Sequence, residues 1–209
     1  MIYAKLFSKY TDLFHGFTTR SEDNPKVADF VLAQQVHGNK ISQVKKSDLG
    51  QKKNGADGLI SKIEKVKIAV RTADCLPILF YEPKRKIIAA VHAGWQGTLK
   101  EISKKMVRQI EKLKGRPEET LAVFGPHICA SCYDISPERA KLFKRGVKKI
   151  NGQFHLDLKE LNLQQLTAAG LQKKNIEILP YCTACQNKLF YSFRKKDRDQ
   201  MMFAVIGLR

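Results

Sequence analysis

The chain has 209 residues, 43% of them hydrophobic, which argues against disorder and for a packed globule with a sizeable core. Lys+Arg total 38 against 20 Asp+Glu, a formal charge of +18, but the lysines fall in scattered pairs such as Lys45-Lys46 and Lys148-Lys149, the pattern of a solvated surface, and nucleic acid is not an expected partner. No apolar run reaches the length of a membrane span and the first residues lack the layout of a secretory signal, so a cytoplasmic protein with no membrane partner is expected.

In chain order, a strand is expected to close at His15-Gly16-Phe17, with His15 at the surface or partly satisfied. Residues 21–26 read as a polar loop, and 27–35 lead to His37. The turn Gly38-Asn39-Lys40 follows it. A histidine at such a junction projects into a cleft. Residues 41–44 read as a strand and 45–54 as an exposed basic loop. Gly55-Ala56-Asp57-Gly58 is a tight turn, whose Asp57 accepts a hydrogen bond from a ligand or, more commonly, from the turn's own amides. Strands follow over 59–63 and 66–70. Two apolar runs, 76–81 and 87–91, flank Glu82-Pro83-Lys84 and predict an antiparallel pair. That pairing puts Cys75 and His92 at matching ends. A thiol and an imidazole so placed are either a metal pair or a nucleophile with its base.

The small residues of Ala93-Gly94-Trp95-Gln96-Gly97 let backbone approach a ligand closely. Thr98 and Glu101 spell a capping box, and Leu99, Ile102, Met106, Ile110 and Leu113 recur at helical spacing. The amides at that helix start offer an anion site. Gly115-Arg116-Pro117 ends the helix, and 120–124 is a strand. Ser136-Pro137-Glu138 opens a further helix, and the box Asp157…Glu160 opens another that runs to Gly170. Residues 176–179, 189–193 and 201–208 read as strands, the last two around a charged turn. Strands spread from end to end among at least three helices argue for α+β with mixed sheets in one compact unit, 1–209. Cys129, Cys132, Cys182 and Cys185 form two Cys-x-x-Cys pairs, each spaced as half of a structural zinc site. Neither pair has the glycine-rich, polar surroundings of a zinc knuckle. Small buried residues in a reducing compartment are the preferred reading.

QVHG, ADG, TADCLP, AAVHAGW, a Gly-Pro turn after a strand, and CT…FYSFR…IGL stand in this order along the chain. The sequence resembles the YfiH-type laccase-domain family, also described as polyphenol oxidases and as purine nucleoside phosphorylases. The match runs from His15-Gly16-Phe17 to the C-terminus. The resemblance implies a single compact α+β domain of stacked mixed β-sheets flanked by helices. It also implies a zinc site built from His37, Cys75 and His92. The implied activities are phosphorolysis of adenosine, inosine and methylthioadenosine, with phosphate as co-substrate, and deamination of adenosine.

One thiolate and two neutral imidazoles suit zinc and leave its fourth position open. Zinc brings the pKa of a bound water towards about 7 and so supplies the hydroxide that deamination at C6 of adenine consumes. Asp74, beside the thiolate, either moves protons or fixes the turn as a buried acceptor. Arg71, Arg194 and the backbone at Gly94, Trp95 and Gly97 are the expected substrate and phosphate ligands, with Trp95, Tyr133 and Phe193 as stacking candidates. Three features depart from the family pattern. Gln96 stands where the family carries Arg. The segment between Arg20 and His37 is short. The family's Tyr-Arg-Arg…Thr-Gly-Arg appears as Phe193-Arg194-Lys195…Asp197-Arg198-Asp199. Two other readings remain open: a metal-free cysteine hydrolase using Cys75 and His92, and a basic RNA-associated protein with a structural four-cysteine zinc. A multicopper oxidase needs more histidines than the five present. Nothing in the sequence sets an oligomeric state.

Overall fold

The computed structural model describes residues 1–21 and 27–209; the polar loop expected over 21–26 lies, Ser21 apart, outside the described residues. The first half of the chain holds β1 (Leu13–Phe17), β2 (Val31–Gln34), β3 (Ile41–Gln43), β4 (Lys52–Asn54), β5 (Gly58–Ser61), β6 (Lys67–Thr72), β7 (Leu76–Glu82) and β8 (Ile87–Ala93). Two helices follow, α1 (Trp95–Leu99) and α2 (Ile102–Lys112). The second half holds β9 (Leu121–Phe124), β10 (Asp134–Ile135), α3 (Pro137–Lys141), β11 (Val147–Ile150), β12 (Gln153–Leu156), α4 (Leu158–Ala168), β13 (Ile176–Ile178) and β14 (Met202–Leu208).

Two mixed sheets stack, one ordered β1-β14-β6-β2-β4 and the other β13-β9-β7-β8-β5-β3, and a small antiparallel sheet β10-β12-β11 stands beside them. Side-chain alternation along β7 and β8 explains the layering. Leu79, Tyr81, Ile88 and Ala90 face the first sheet, where they pack with Val31, Ile68, Val70 and Ile206. Ile78, Phe80, Ala89 and Val91 face the other way, onto Met106 and Ile110 of α2 and Leu166 of α4. Both faces are buried, so both strands read as continuous apolar runs. Each buried Val, Leu, Ile, Phe or Met among them contributes on the order of 1.5–3 kcal/mol. The fold is the α+β arrangement of stacked mixed sheets that the sequence predicts. Among the described residues, no helix is long and apolar enough to cross a membrane.

Several local expectations are corrected. The helix after His92 begins at Trp95 rather than Thr98, and Gly94 is its N-cap. It breaks at Glu101, which adopts a left-handed φ of 55°, and restarts as α2. Thr98 is buried and its hydroxyl accepts from Asn162 Nδ2 at 2.9 Å, so no capping box forms. At α4, Asp157 accepts from the Glu160 amide at 2.9 Å, which is half of the expected box. Residues 189–193 form no strand; a short 3-10 turn covers Phe193–Lys195. The stretch 45–54 is not wholly exposed loop, since β4 pairs with β2 and Asp48 is buried. His15 is buried rather than superficial and accepts from the Ala4 amide at 3.0 Å.

Candidate metal centre

β7 and β8 pair with Pro77 opposite His92 and Leu76 opposite Ala93. Cys75, just before β7, therefore lies at the same end of the hairpin as His92. His37 enters from the loop between β2 and β3, with a left-handed φ of 58°. One ligand atom from each of His37, Cys75 and His92 lies within 4.8 Å of the others. The two imidazole rings meet edge to face with centroids 4.9 Å apart. His92 is buried, Cys75 half-buried and His37 exposed, so the cluster opens to solvent on the His37 side.

Asp57 organises the group. It is fully buried, and its Oδ1 lies 2.8 Å from His92 Nδ1. Its Oδ2 accepts from the amides of Gly38 at 2.7 Å and Val36 at 3.2 Å, on either side of His37. With Nδ1 engaged by Asp57, His92 turns Nε2 towards Cys75, where a metal would replace their hydrogen bond. A side-chain clamp sets the approach to His37 as well. Gln35 Nε2 donates to the Arg71 carbonyl at 2.7 Å, and the Arg71 amide donates to Gln35 Oε1 at 2.8 Å.

The electrostatics favour a thiolate. Burial pushes the Cys75 thiol up, but the charge on His92 and hydrogen bonds from His37 and His92 outweigh it and bring the group down to about 6. Burial likewise pushes His92 down, and the Cys75 thiolate and the Asp57 carboxylate reverse that, raising it to about 9. Asp57 itself is held below its usual range: burial opposes ionisation, and the hydrogen bonds from His92 and Gly38 overcome it.

Gly94 forms one wall. A Cβ there would lie 3.1 Å from Cys75 Sγ, 3.3 Å from His37 Cδ2 and 3.6 Å from His92 Cε1. Gly97 is pinned as closely, since a Cβ there would lie 2.8 Å from the Gly38 carbonyl. The donor set and this glycine-lined space fit one divalent ion with soft and borderline ligands.

The other expected site residues are placed differently from one another. Asp74, at a φ of 87°, spends both carboxylate oxygens on the fold: Oδ1 accepts from Thr183 Oγ1 at 2.6 Å and Oδ2 from the Arg194 amide at 2.7 Å. The Arg194 guanidinium is engaged by Asp134, at 2.5 Å to Oδ1 and 2.9 Å to the carbonyl, and stands over the Tyr133 ring. Among the described residues, the buried Nε of Arg71 has no hydrogen-bond partner. The Trp95 ring lies under the Arg139 guanidinium at 4.5 Å. Tyr133 is pushed up to about 12 by burial and then by the Cys75 charge. Phe193 is 63% exposed. With a five-residue α1, the expected anion site at a helix start has little helix behind it.

The family described as multi-copper polyphenol oxidoreductase laccase matches residues 18–209. The chain belongs to that family. It is the YfiH-type family that the motifs indicated. The purine nucleoside phosphorylase YlmD of Bacillus subtilis (strain 168) is 33% identical over 205 residues, covering 89% of this chain and 73% of that protein. The adenosine deaminase RL5 of an unknown prokaryotic organism is 29% identical over 183 residues, covering 80% of this chain and 70% of that protein. The crystal structure of YlmD from Geobacillus stearothermophilus superposes with a TM-score of 0.88 at 27% identity, covering 99% of this chain and 94% of that one.

This member of the laccase-domain family does not fit the copper chemistry of the family's description. His15 is committed to the Ala4 amide. His127 meets the Gly125 carbonyl at 2.8 Å and His155 the Ala130 carbonyl at 2.9 Å. Among the described residues, only His37 and His92 share a metal-ligating cluster, which is too few imidazoles for a multicopper centre.

The sequence assigns Asp57 to a ligand or, by preference, to its own turn's amides; its partners are instead His92 and the amides of Val36 and Gly38. The signal was present: an acidic residue between small residues in a turn, among strands with apolar flanks, is buried only when paired.

Proposed function

We propose that the chain is a zinc-dependent purine nucleoside enzyme that cleaves nucleosides with phosphate and deaminates adenosine. The observation that carries the reading is the convergence of His37, Cys75 and His92 with Asp57 behind them. His37, Cys75 and His92 would hold the ion. When bound, such an ion acts as a Lewis acid and lowers the pKa of water at its open position.

The chain's own residues supply the rest. Asp57 fixes the His92 ring and the loop that carries His37. The exposed Phe193 offers an aromatic face to a purine, and Tyr133, with Arg194 over its ring, is the weaker candidate. Arg71 brings a buried guanidinium nitrogen with no partner among the described residues, which suits a phosphate oxygen. Arg194 is already neutralised by Asp134 and is the weaker candidate for that role. Asp74 fixes the turn rather than moving protons, because both its oxygens are occupied.

A metal-free cysteine hydrolase draws on the same Asp57–His92–Cys75 line. It gives the second imidazole on that sulfur nothing to do, which favours the metal. The test is incubation with adenosine, with and without phosphate. Adenine and ribose 1-phosphate are expected only with phosphate, and inosine without it. Chelation should abolish inosine formation, zinc should restore it, and adenosine affinity should stay within about tenfold, near 1.4 kcal/mol. Activity that resists chelation but is lost on alkylation of Cys75 would favour the hydrolase.

A further inference from the structure

The four remaining cysteines are far apart in sequence and together in space. Cys129 precedes and Cys132 ends a 3-10 turn after β9, and Cys182 and Cys185 lie in the loop after β13. The His127 amide donates to the Tyr181 carbonyl at 3.4 Å and the Thr183 amide to the His127 carbonyl at 3.1 Å, which zips the two loops side by side. The four sulfurs all lie within 4.8 Å of one another. Cys132 Sγ is 3.3 Å from Cys185 Sγ, and Cys129 Sγ is 3.9 Å from it. A disulfide needs about 2.05 Å. A zinc tetrahedron with Zn–S near 2.3 Å has sulfur–sulfur edges of about 3.8 Å. The separations therefore match a shared ion better than a bond.

The backbone turns towards these sulfurs. The amides of Cys129 and Cys185 both donate to Cys182 Sγ, at 3.2 and 3.4 Å. The cysteines are half-buried or exposed, unlike the buried core residues the sequence reading preferred. Lys159 lines a cleft of about 390 Å³ beside Cys129 and Cys182. Lys188 and Lys195 line another beside Cys185. Asp157 lines the first cleft too, so three lysines and one carboxylate surround a cluster whose four thiolates with one divalent cation would carry a net negative charge.

We propose that Cys129, Cys132, Cys182 and Cys185 hold a second, structural zinc ion, closed to substrate and independent of the reading of the first centre. Four thiols give up their protons on binding, and no oxidant or reductant takes part. The site braces the first. Thr183, between the two ligands of the second loop, donates to Asp74, the neighbour of Cys75. The Ile128 amide, beside the first loop, donates to the Asp74 carbonyl at 2.9 Å. The second ion would thereby hold Asp74 in its left-handed conformation.

The test is metal content and zinc K-edge absorption on purified protein. Wild type should carry about two zinc equivalents and Cys75→Ala about one, the latter surrounded by four sulfurs at about 2.3 Å with no nitrogen. Cys182→Ser/Cys185→Ser should lose one equivalent and keep a mixed nitrogen and sulfur shell. Should that double variant fail to accumulate, titration of Cys75→Ala with a mercurial in the presence of a metallochromic dye should release its zinc as four thiols react. Folded Cys75→Ala without zinc, with iron in its place, with nitrogen in its shell, or with a Cys132–Cys185 disulfide in its peptide map would overturn the proposal.

Discussion

The carboxylate of Asp57 ties His92 to the loop that carries His37: Oδ1 lies 2.8 Å from His92 Nδ1, and Oδ2 holds the amides of Val36 and Gly38 on either side of His37. A single buried group thus sets the tautomer of one ligand and the loop of another. Asp57→Asn keeps the shape and removes the charge. Metal affinity at the first centre should fall about 10–100-fold, read by chelator competition, with little change in fold. Unchanged affinity would remove Asp57 from the centre.

The thiolate–imidazolium pair fixes the pH behaviour of the metal-free protein. Cys75 has its folded value lowered from 9.0 to about 6, so its contribution to stability is present above 9.0 and lost as pH falls through about 6. His92 is raised from 6.5 to about 9, so its contribution is complete below 6.5 and lost as pH rises through about 9. The pair is intact between about 6 and about 9. At pH near 7.5 a metal meets a ready thiolate but must expel the His92 proton. Calorimetry in buffers of different ionisation enthalpy should find about one proton released by this pair. Affinity should climb about tenfold per pH unit and level off above about 9. A pH-independent affinity across that window contradicts the pair.

Gly94 faces the ligand atoms, so its replacement is a steric test. Gly94→Ala places a methyl 3.1 Å from Cys75 Sγ, which should cost about 1–3 kcal/mol and sharply lower metal occupancy. Gly97→Ala meets backbone, the Gly38 carbonyl, and should disturb the His37 loop as much. Full occupancy in Gly94→Ala would show that the metal sits elsewhere.

The two arginines should separate in a phosphate titration. The Arg71 Nε has no partner among the described residues, and Arg194 is bound to Asp134. Arg71→Ala should raise the phosphate requirement about tenfold, near 1.4 kcal/mol, with a smaller effect from Arg194→Ala. The reverse order would mean that Arg194 leaves Asp134 when phosphate arrives.

Much of this architecture is legible in the residues. The apolar runs around Glu82-Pro83-Lys84 give β7 and β8, and that register alone brings Cys75 to His92. The β11–β12 hairpin was missed although Asn151-Gly152 is a strong turn signal; both residues take positive φ, 48° and 82°, as a type I′ turn requires. The lysines beside it read as surface and hid the strand. Thr98 and Glu101 have cap spacing, but the Thr98 hydroxyl is held by Asn162 of α4, which lies 64 residues away. The cluster of Cys129, Cys132, Cys182 and Cys185 depends on β9 pairing with β13, a parallel contact that no local pattern announces. Asp57 acts through residues from two other segments, and its role follows only from their meeting.

Zinc content and adenosine turnover, measured side by side on wild type and Cys75→Ala, test the central claim most directly. Cys75→Ala should lose one zinc equivalent and all product formation from adenosine while keeping the wild-type circular dichroism. A folded Cys75→Ala protein that binds as much zinc as wild type, or converts adenosine at the wild-type rate, would contradict the account.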